Sequence, residues 1–260
     1  MAAEGATTAA ELLLDALHAH GVEYFFANAG TDFPPVIEAF ARGAETARAY
    51  PRPMVVPHES VAVGMAHGYY LATGRAQAVM VHVNVGTANC LNNLINAARD
   101  NVPILLLAGR TPVTERGRKG SRTRPIHWAQ EMFDQAGMLR EIVKWDYELR
   151  YPEQAADAVR RAVEIAMTPP RGPVYLVLPR EALAGDVPAH IDVSPRAVPA
   201  APRPDPEAVV RLAQWIAAAD FPLVIASASG RDPAAVPALA HLAERFGVGI
   251  VSAWPRYVNL

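Results

Sequence analysis

Residues able to do acid–base chemistry fall at a few junctions in the first half of this 260-residue chain. Glu59 follows Pro57 and His58, directly after the apolar run Met54-Val55-Val56 and before a stretch dotted with small residues. A carboxylate there lies at the carboxyl end of a buried strand and the amino end of a helix, where open α/β sheets place their ligands. Taken alone, such an acid reads first as a helix N-terminal residue favoured by the macrodipole. Similar junctions hold Asn28-Ala29-Gly30-Thr31-Asp32 and Asn84-Val85-Gly86-Thr87. A long stretch from Gly109 to Met132 carries Arg116, Arg118, Lys119, Arg122 and Arg124, then His127-Trp128 and Gln130. Uncovered loops of that length are usually functional or mobile. The basic run reads as a solvated loop and His127-Trp128 as its anchor. His58 reads equally as a turn-shaping residue. His67 reads as packing or interface, Cys90 as a small core residue, and His82, at a strand end, stays open.

The elements that must position these residues alternate strand and helix. Helical spacing covers Ala9 to His20 and stops at Gly21. Strand Tyr24 to Ala27 is followed by helix Pro35 to Arg42, and strand Met54 to Val56 by helix Ser60 to Thr73. Ala76 to Val83 is a continuous apolar strand closed by Asn84 to Thr87, with a helix from Ala88 to Ala98 and a strand from Ile104 to Ala108. Ile142-Val143-Lys144 reads as a short strand, Pro152 to Met167 as a helix, and Val174 to Leu178 as the last strand of this domain. Unbroken apolar strands imply a mostly parallel, doubly wound α/β sheet with helices on both faces.

Residues 1–180 form this first domain in the reading, and 181–205, rich in Pro and Ala without periodicity, a linker. Residues 206–260 begin a second α/β domain: helix Pro206 to Ala219, strand Leu223 to Ala226, helix Ala234 to Phe246, strand Gly249 to Ser252. So short a unit cannot close a doubly wound sheet, and the expectation is a chain cut short. Hydrophobic residues at 51% and charged ones at 19% suit a globular core. A net charge of -2 argues against nucleic acid or an acidic membrane surface. One cysteine excludes a disulfide framework and a cysteine metal site. The amino terminus lacks a basic n-region and reads as a helix rather than a signal peptide. No apolar run reaches membrane-spanning length, so a soluble, cytoplasmic protein is the expectation. No strand leads into Gly-x-Gly-x-x-Gly, which argues against a dinucleotide site.

Motifs in register give the chain a family likeness. His58-Glu59 precedes a helix of the Ala-x-Gly-x-Ala kind. Asn84-Val85-Gly86-Thr87-Ala88-Asn89 stands where relatives have Gly-Pro-Gly-Ala-Thr-Asn, and Ala29-Gly30 where they have Pro-Gly. Asp100-Asn101-Val102-Pro103-Ile104, Gln130-Glu131 and Pro170-Arg171-Gly172-Pro173-Val174 follow in order. The chain resembles the amino-terminal part of thiamine diphosphate-dependent enzymes of the acetolactate synthase, pyruvate oxidase and benzoylformate decarboxylase type. The resemblance covers the pyrimidine-binding domain and the start of the central domain.

That resemblance implies a role for each residue. Glu59 is catalytic: it hydrogen-bonds N1′ of the cofactor's pyrimidine, so that the 4′-amino group serves as base at the reacting carbon. An apolar setting from Val55, Val56, Pro57 and Val61 favours the shared proton. Gly30, Gly86 and Asn89 join Glu59 in binding the cofactor, the glycines letting backbone approach a flat ring at strand ends. Asn84, His127 and Gln130 face the substrate. The chain holds no metal ligands: relatives bind Mg²⁺ through a carboxyl-terminal Gly-Asp-Gly motif and a later Asn, and no Gly-Asp-Gly occurs here. FAD is left open, since relatives bind it mostly through the central domain. The site is expected between two subunits of a homodimer or homotetramer formed through the pyrimidine-binding domain, with Ala62, Gly64, Ala66 and Gly68 permitting close helix packing. The expected activity is decarboxylation of a 2-keto acid with carboligation, acetolactate synthase-like. The alternatives are a simple 2-keto acid or acyl-CoA decarboxylase, and a non-catalytic fragment keeping only the fold and dimer surface.

Overall fold

Six strands form one parallel sheet in the computed structural model, which describes residues 7–188 and 190–253. Residues 1–6 of the amino-terminal reading and 254–260 of the second unit lie outside the described residues. The chain divides into units of residues 1–200 and 201–260. In order, the first holds β1 (Thr7–Thr8), α1 (Ala9–Ala19), β2 (Tyr24–Ala27), α2 (Pro34–Glu45), β3 (Arg52–Val55), α3 (Glu59–Thr73) and β4 (Gln77–Val81). It continues with α4 (Val83–Arg99), β5 (Ile104–Arg110), α5 (Ile126–Ala129), β6 (Asp146–Glu148), α6 (Ala155–Met167), β7 (Val174–Pro179), α7 (Arg180–Leu183) and β8 (Asp186–Val187).

The strand order is β3-β2-β4-β5-β7-β6, and every neighbouring pair is parallel. Alternate residues of each strand feed opposite cores, as the period of two requires. Phe25, Ala78, Met80, Leu105, Leu107 and Leu176 meet α1, α2 and α6 on one face. Phe26, Val79, Val81, Leu106, Tyr175 and Val177 meet α3 and α4 on the other. The sheet is therefore covered on both sides, which is why its central strands need no polar face.

This winding also fixes where a ligand can sit. β2 and β4 are neighbours, yet α2 follows β2 onto one face and α4 follows β4 onto the other. Their departing loops diverge, and such a switch leaves a crevice at the carboxyl ends of the two strands.

Three local expectations change. The edge strand is Asp146–Glu148 rather than Ile142 to Lys144, which form a turn held by Ile142 N and Val143 N donating to Leu139 O. α4 begins at Val83, not Ala88, so Asn84 to Thr87 are its first turn. Val83 takes φ 33°, which swings the chain from strand to helix without a loop, and Gly86 N donates to His82 O to close the turn. Within residues 181–205, β8 pairs with β1 and Arg160 donates to the carbonyls of Asp192 (2.6 Å) and Ser194 (3.3 Å). The first part of that stretch is thus docked on its own unit.

The second unit holds α8 (Pro206–Ala218), β9 (Leu223–Ala226), α9 (Ala235–Phe246) and β10 (Gly249–Ser252), with β9 and β10 parallel. Asp205 caps α8 by accepting from Glu207 N. Among the described residues, no helix is long and apolar enough to cross a membrane.

Candidate active site

Glu59 is the first residue of α3 and only 7% exposed. His58 caps the helix, its Nδ1 accepting from Ser60 N at 3.1 Å, so that histidine shapes the turn. The Glu59 carboxylate turns toward α4: Oε2 accepts from Asn89 Nδ2 at 3.1 Å. A Cβ on Gly86 would lie 3.3 Å from Oε1 and 2.9 Å from Val81 Cβ. Gly86 thus keeps clear the space beside the acid. Ser60 Oγ donates to Asn89 O at 2.9 Å and Asn93 Nδ2 to Ser60 O at 2.5 Å, locking the amino end of α3 against the middle of α4. Burial, and then the Glu59 charge, push the Cys90 thiol up to about 12, so Cys90 is an inert core residue beside the acid.

The apolar setting differs from expectation. Val56 is buried, but Val55 is 84% and Val61 48% exposed, and Pro57 is exposed as well. The alternation of β3, an edge strand, turns Val55 outward, and Val61 lies on the outer face of α3. Likewise Ala62 and Ala66 pack into the unit's own core, while Gly64 and Gly68 face out. Residues four apart share a helix face, so the small-residue stripe is really two stripes.

A second cluster lies at the switch point. Asp32, from the turn after β2, is 2% exposed, and its Oδ1 accepts from His82 Nδ1 at 2.5 Å. Gln130 Nε2 lies 3.1 Å from His82 Nε2, and Asn84 Nδ2 donates to Gln130 O at 3.1 Å. The hydrogen bond to Asp32 holds the imidazole above its ordinary value, overcoming the opposite effect of burial; the charges of Asp32 and Glu59 add to it. Gly30 packs edge to face against the His82 ring, where a Cβ would overlap it. The space that this glycine leaves is taken by a ring of the protein itself. The structure brings together Gly30, Asn84 and Gln130, joined by Asp32 and His82, which sequence reasoning left without a role. Their signal was positional: each follows a central strand's carboxyl end.

His127 stands apart. It is 2% exposed, its Nδ1 accepts from Thr123 N, and its buried Nε2 has no partner among the described residues. Burial, then Arg180, Arg122 and Arg124, lower its pKa and favour the neutral ring. None of those partners belongs to the cluster. Arg122 is also buried rather than solvated, donating to Pro112 O (2.8 Å) and Glu131 (2.7 Å). Arg180 reaches Gly120 O, Thr31 O and Ser121 O, tying the long loop to the turn that carries Asp32. Among the described residues there is no group of three His, Cys, Asp or Glu side chains able to hold a metal ion. A cavity of about 600 Å³ beside Trp145 and Tyr147 shares no residue with either cluster.

A buried carboxylate at one strand end, cleared by a glycine, lies beside a histidine–carboxylate pair at the switch point, where open α/β sheets place their ligands. The chain belongs to the thiamine pyrophosphate enzymes: the family's N-terminal TPP binding domain matches residues 7–138. It is similar to benzoylformate decarboxylase of Pseudomonas aeruginosa, 28% identical over 80% of this chain and 37% of that protein. It is also similar to acetolactate synthase of Arthrospira platensis, 28% identical over 94% of this chain and 41% of that protein. Among solved structures, benzoylformate decarboxylase from Polynucleobacter necessarius superposes with a TM-score of 0.78 at 26% identity, covering 94% of this chain and 43% of that one. The chain thus spans less than half the length of these relatives, and it is a thiamine diphosphate-binding enzyme domain.

Proposed function

We propose that the chain supplies the pyrimidine-binding half of a thiamine diphosphate enzyme that decarboxylates a 2-keto acid and passes the remaining unit to an acceptor, in the manner of an acetolactate synthase. One observation carries this reading: Glu59, buried at a strand's carboxyl end, has one oxygen held by Asn89 and the other beside the space that Gly86 leaves. That cradle fits a planar, hydrogen-bonding ring. When bound, the cofactor supplies a carbon nucleophile and an electron sink for carbonyl substrates. Glu59 then holds a proton at the pyrimidine N1′, Asn89 keeps the carboxylate aimed, and Gly30 and Gly86 leave room for the site. Asn84, Gln130 and His82 form its substrate side. His127 holds the loop that delivers Gln130.

Mg²⁺ and the diphosphate belong in this reading to a further domain, and FAD, if the enzyme uses it, to the central domain. A second copy of the chain is the proposed partner, giving a homodimer or homotetramer. Val61, Leu71 and Val85 are exposed on α3 and α4, where Gly64 and Gly68 present almost no side-chain relief. A second reading, simple decarboxylation, is favoured by His82. A decarboxylase must deliver a proton to the carbon that has lost CO₂, and the hydrogen bond to Asp32, which holds the imidazole above its ordinary value, favours its protonated form.

The test is cofactor titration of the full-length protein with Mg²⁺, then a screen of 2-keto acids for CO₂ release with and without an aldehyde or keto-acid acceptor. Acceptor-dependent carbon–carbon bond formation supports the first reading, and release of the free aldehyde the second. No cofactor binding by the full-length protein would sink both.

A further inference from the structure

We infer that Asp32 is the positioning residue of the substrate side: its carboxylate holds the His82 ring, and the strained backbone that carries it, in the orientation from which Nε2 meets Gln130. This rests on the thiamine-enzyme reading above for what the ring faces, but the contact itself is independent of it. Both carboxylate oxygens are engaged. Oδ1 accepts from His82 Nδ1 at 2.5 Å, and Oδ2 lies 3.4 Å from Val83 N. Val83 has φ 33°, a conformation that β-branched residues avoid, and such outliers persist only where their surroundings hold them.

The carboxylate is itself boxed in. Asp32 is 2% exposed, and a Cβ on Gly109, at the end of β5, would overlap its carboxylate. Gly30 lies against the ring face. Three strand ends, β2, β4 and β5, thus converge on one imidazole. The other groups that face it are the Glu59 charge from α3 and the Gln130 amide from the long loop.

The chemistry follows from which nitrogen is engaged. A carboxylate at Nδ1 fixes the proton there and leaves Nε2 as the nitrogen that exchanges a proton with the crevice. It also stabilises the doubly protonated ring, to which the Gln130 amide, turned end for end, presents Oε1. Asparagine at position 32 keeps the shape but loses the charge, and its NH₂ can reverse the tautomer.

The experiment uses the full-length protein in two forms. In the ligand-free protein, the His82 titration is followed by NMR, assigned by its loss in His82→Gln. Asp32→Asn is expected to lower its midpoint by about one pH unit or more. Gly109→Ala, which keeps the carboxylate but displaces it, is expected to shift it in the same direction. In the enzyme loaded with thiamine diphosphate and Mg²⁺, Asp32→Asn is expected to lower kcat at least about tenfold. The alkaline limb of its pH profile should move down, with KM changed by less than about threefold. An unmoved His82 midpoint in Asp32→Asn overturns the proposal, whether or not Gly109→Ala folds. So does a fall in kcat with the pH profile unmoved, which would mark a merely structural role. Failure to bind the cofactor would remove the functional reading while leaving the NMR result to decide the contact.

Discussion

The Glu59 corner and the Asp32–His82 corner lie at neighbouring strand ends and are built in opposite ways. Glu59 opens α3 and is held against the second turn of α4 on one face of the sheet, and its partner there, Asn89, is a neutral amide. Asp32 comes from the loop between β2 and α2 and His82 from the direct junction of β4 with α4, which leave toward opposite faces, and they hold each other as an acid–imidazole pair. In the proposed function, the first arrangement offers a carboxylate for a proton shared with an incoming ring. The second stabilises a proton already inside the protein. In the proposed enzyme, one corner serves the cofactor and the other the substrate.

That contrast can be broken by experiment, starting with the largest effect. Glu59→Gln is expected to reduce turnover of the full-length enzyme by about 100-fold or more, the scale of a lost acid–base group. Normal CO₂ release from that variant would remove Glu59 from the cofactor's chemistry. His82→Gln should cost about 10- to 100-fold in kcat yet leave thiamine diphosphate affinity near that of the parent, as read by titration calorimetry. A large loss of cofactor affinity would merge the two corners into one. Asn89→Ala removes a hydrogen bond to a charged group, an effect of about 1.5–3 kcal/mol, and should weaken cofactor binding roughly tenfold. Tyr175→Phe touches neither corner: its buried hydroxyl meets Thr87 Oγ at 2.7 Å and Gln135 Nε2 at 2.9 Å. Thr87 Oγ still donates to Val83 O and Gln135 Nε2 to Gly109 O, so the loss should lower unfolding free energy by about 0.5–1.5 kcal/mol with little change in cofactor affinity.

The smallest effect is the pH dependence of stability, where two histidines should oppose each other. His82 has a raised folded-state pKa, set first by its hydrogen bond to Asp32. Its contribution is therefore full below the ordinary value of 6.5 and lost as pH rises through the raised one. His127 has a lowered pKa, from burial and then Arg180. Its neutral form contributes above the ordinary value of 6.5, and that stability is lost as pH falls through the lowered one. Urea midpoints of His82→Gln and His127→Gln, each compared with the parent between about pH 5 and 8, should diverge from it at opposite ends of the range. Parallel shifts would show that the two rings do not differ as described.

Much of the fold was legible because buried parallel strands must be apolar along their whole length. Ala78 to Val81 and Ile104 to Ala108 show this plainly. The position of Glu59 was legible too, since a charge directly after a short apolar run and before a helix is conspicuous. The edge strand Asp146–Glu148 was not: its residues are half-buried and polar, so they lack the signal that marks a central strand. The first turn of α4 was hidden for another reason. Asn84, Val85 and Gly86 read as a loop, and only the φ of Val83 starts the helix there.

The amino-acid sequence by itself determined the alternation of strand and helix, the acid at the third strand's end and the likeness to thiamine enzymes, because each is written in contiguous residues. Only the tertiary structure decided that Asp32 meets His82, that Gly109 makes room for their bond, and that Val55 and Val61 point away from Glu59. Those facts depend on strand order and on the face each helix takes. Both are settled by packing the whole sheet, between residues up to dozens of positions apart, and no local pattern carries them.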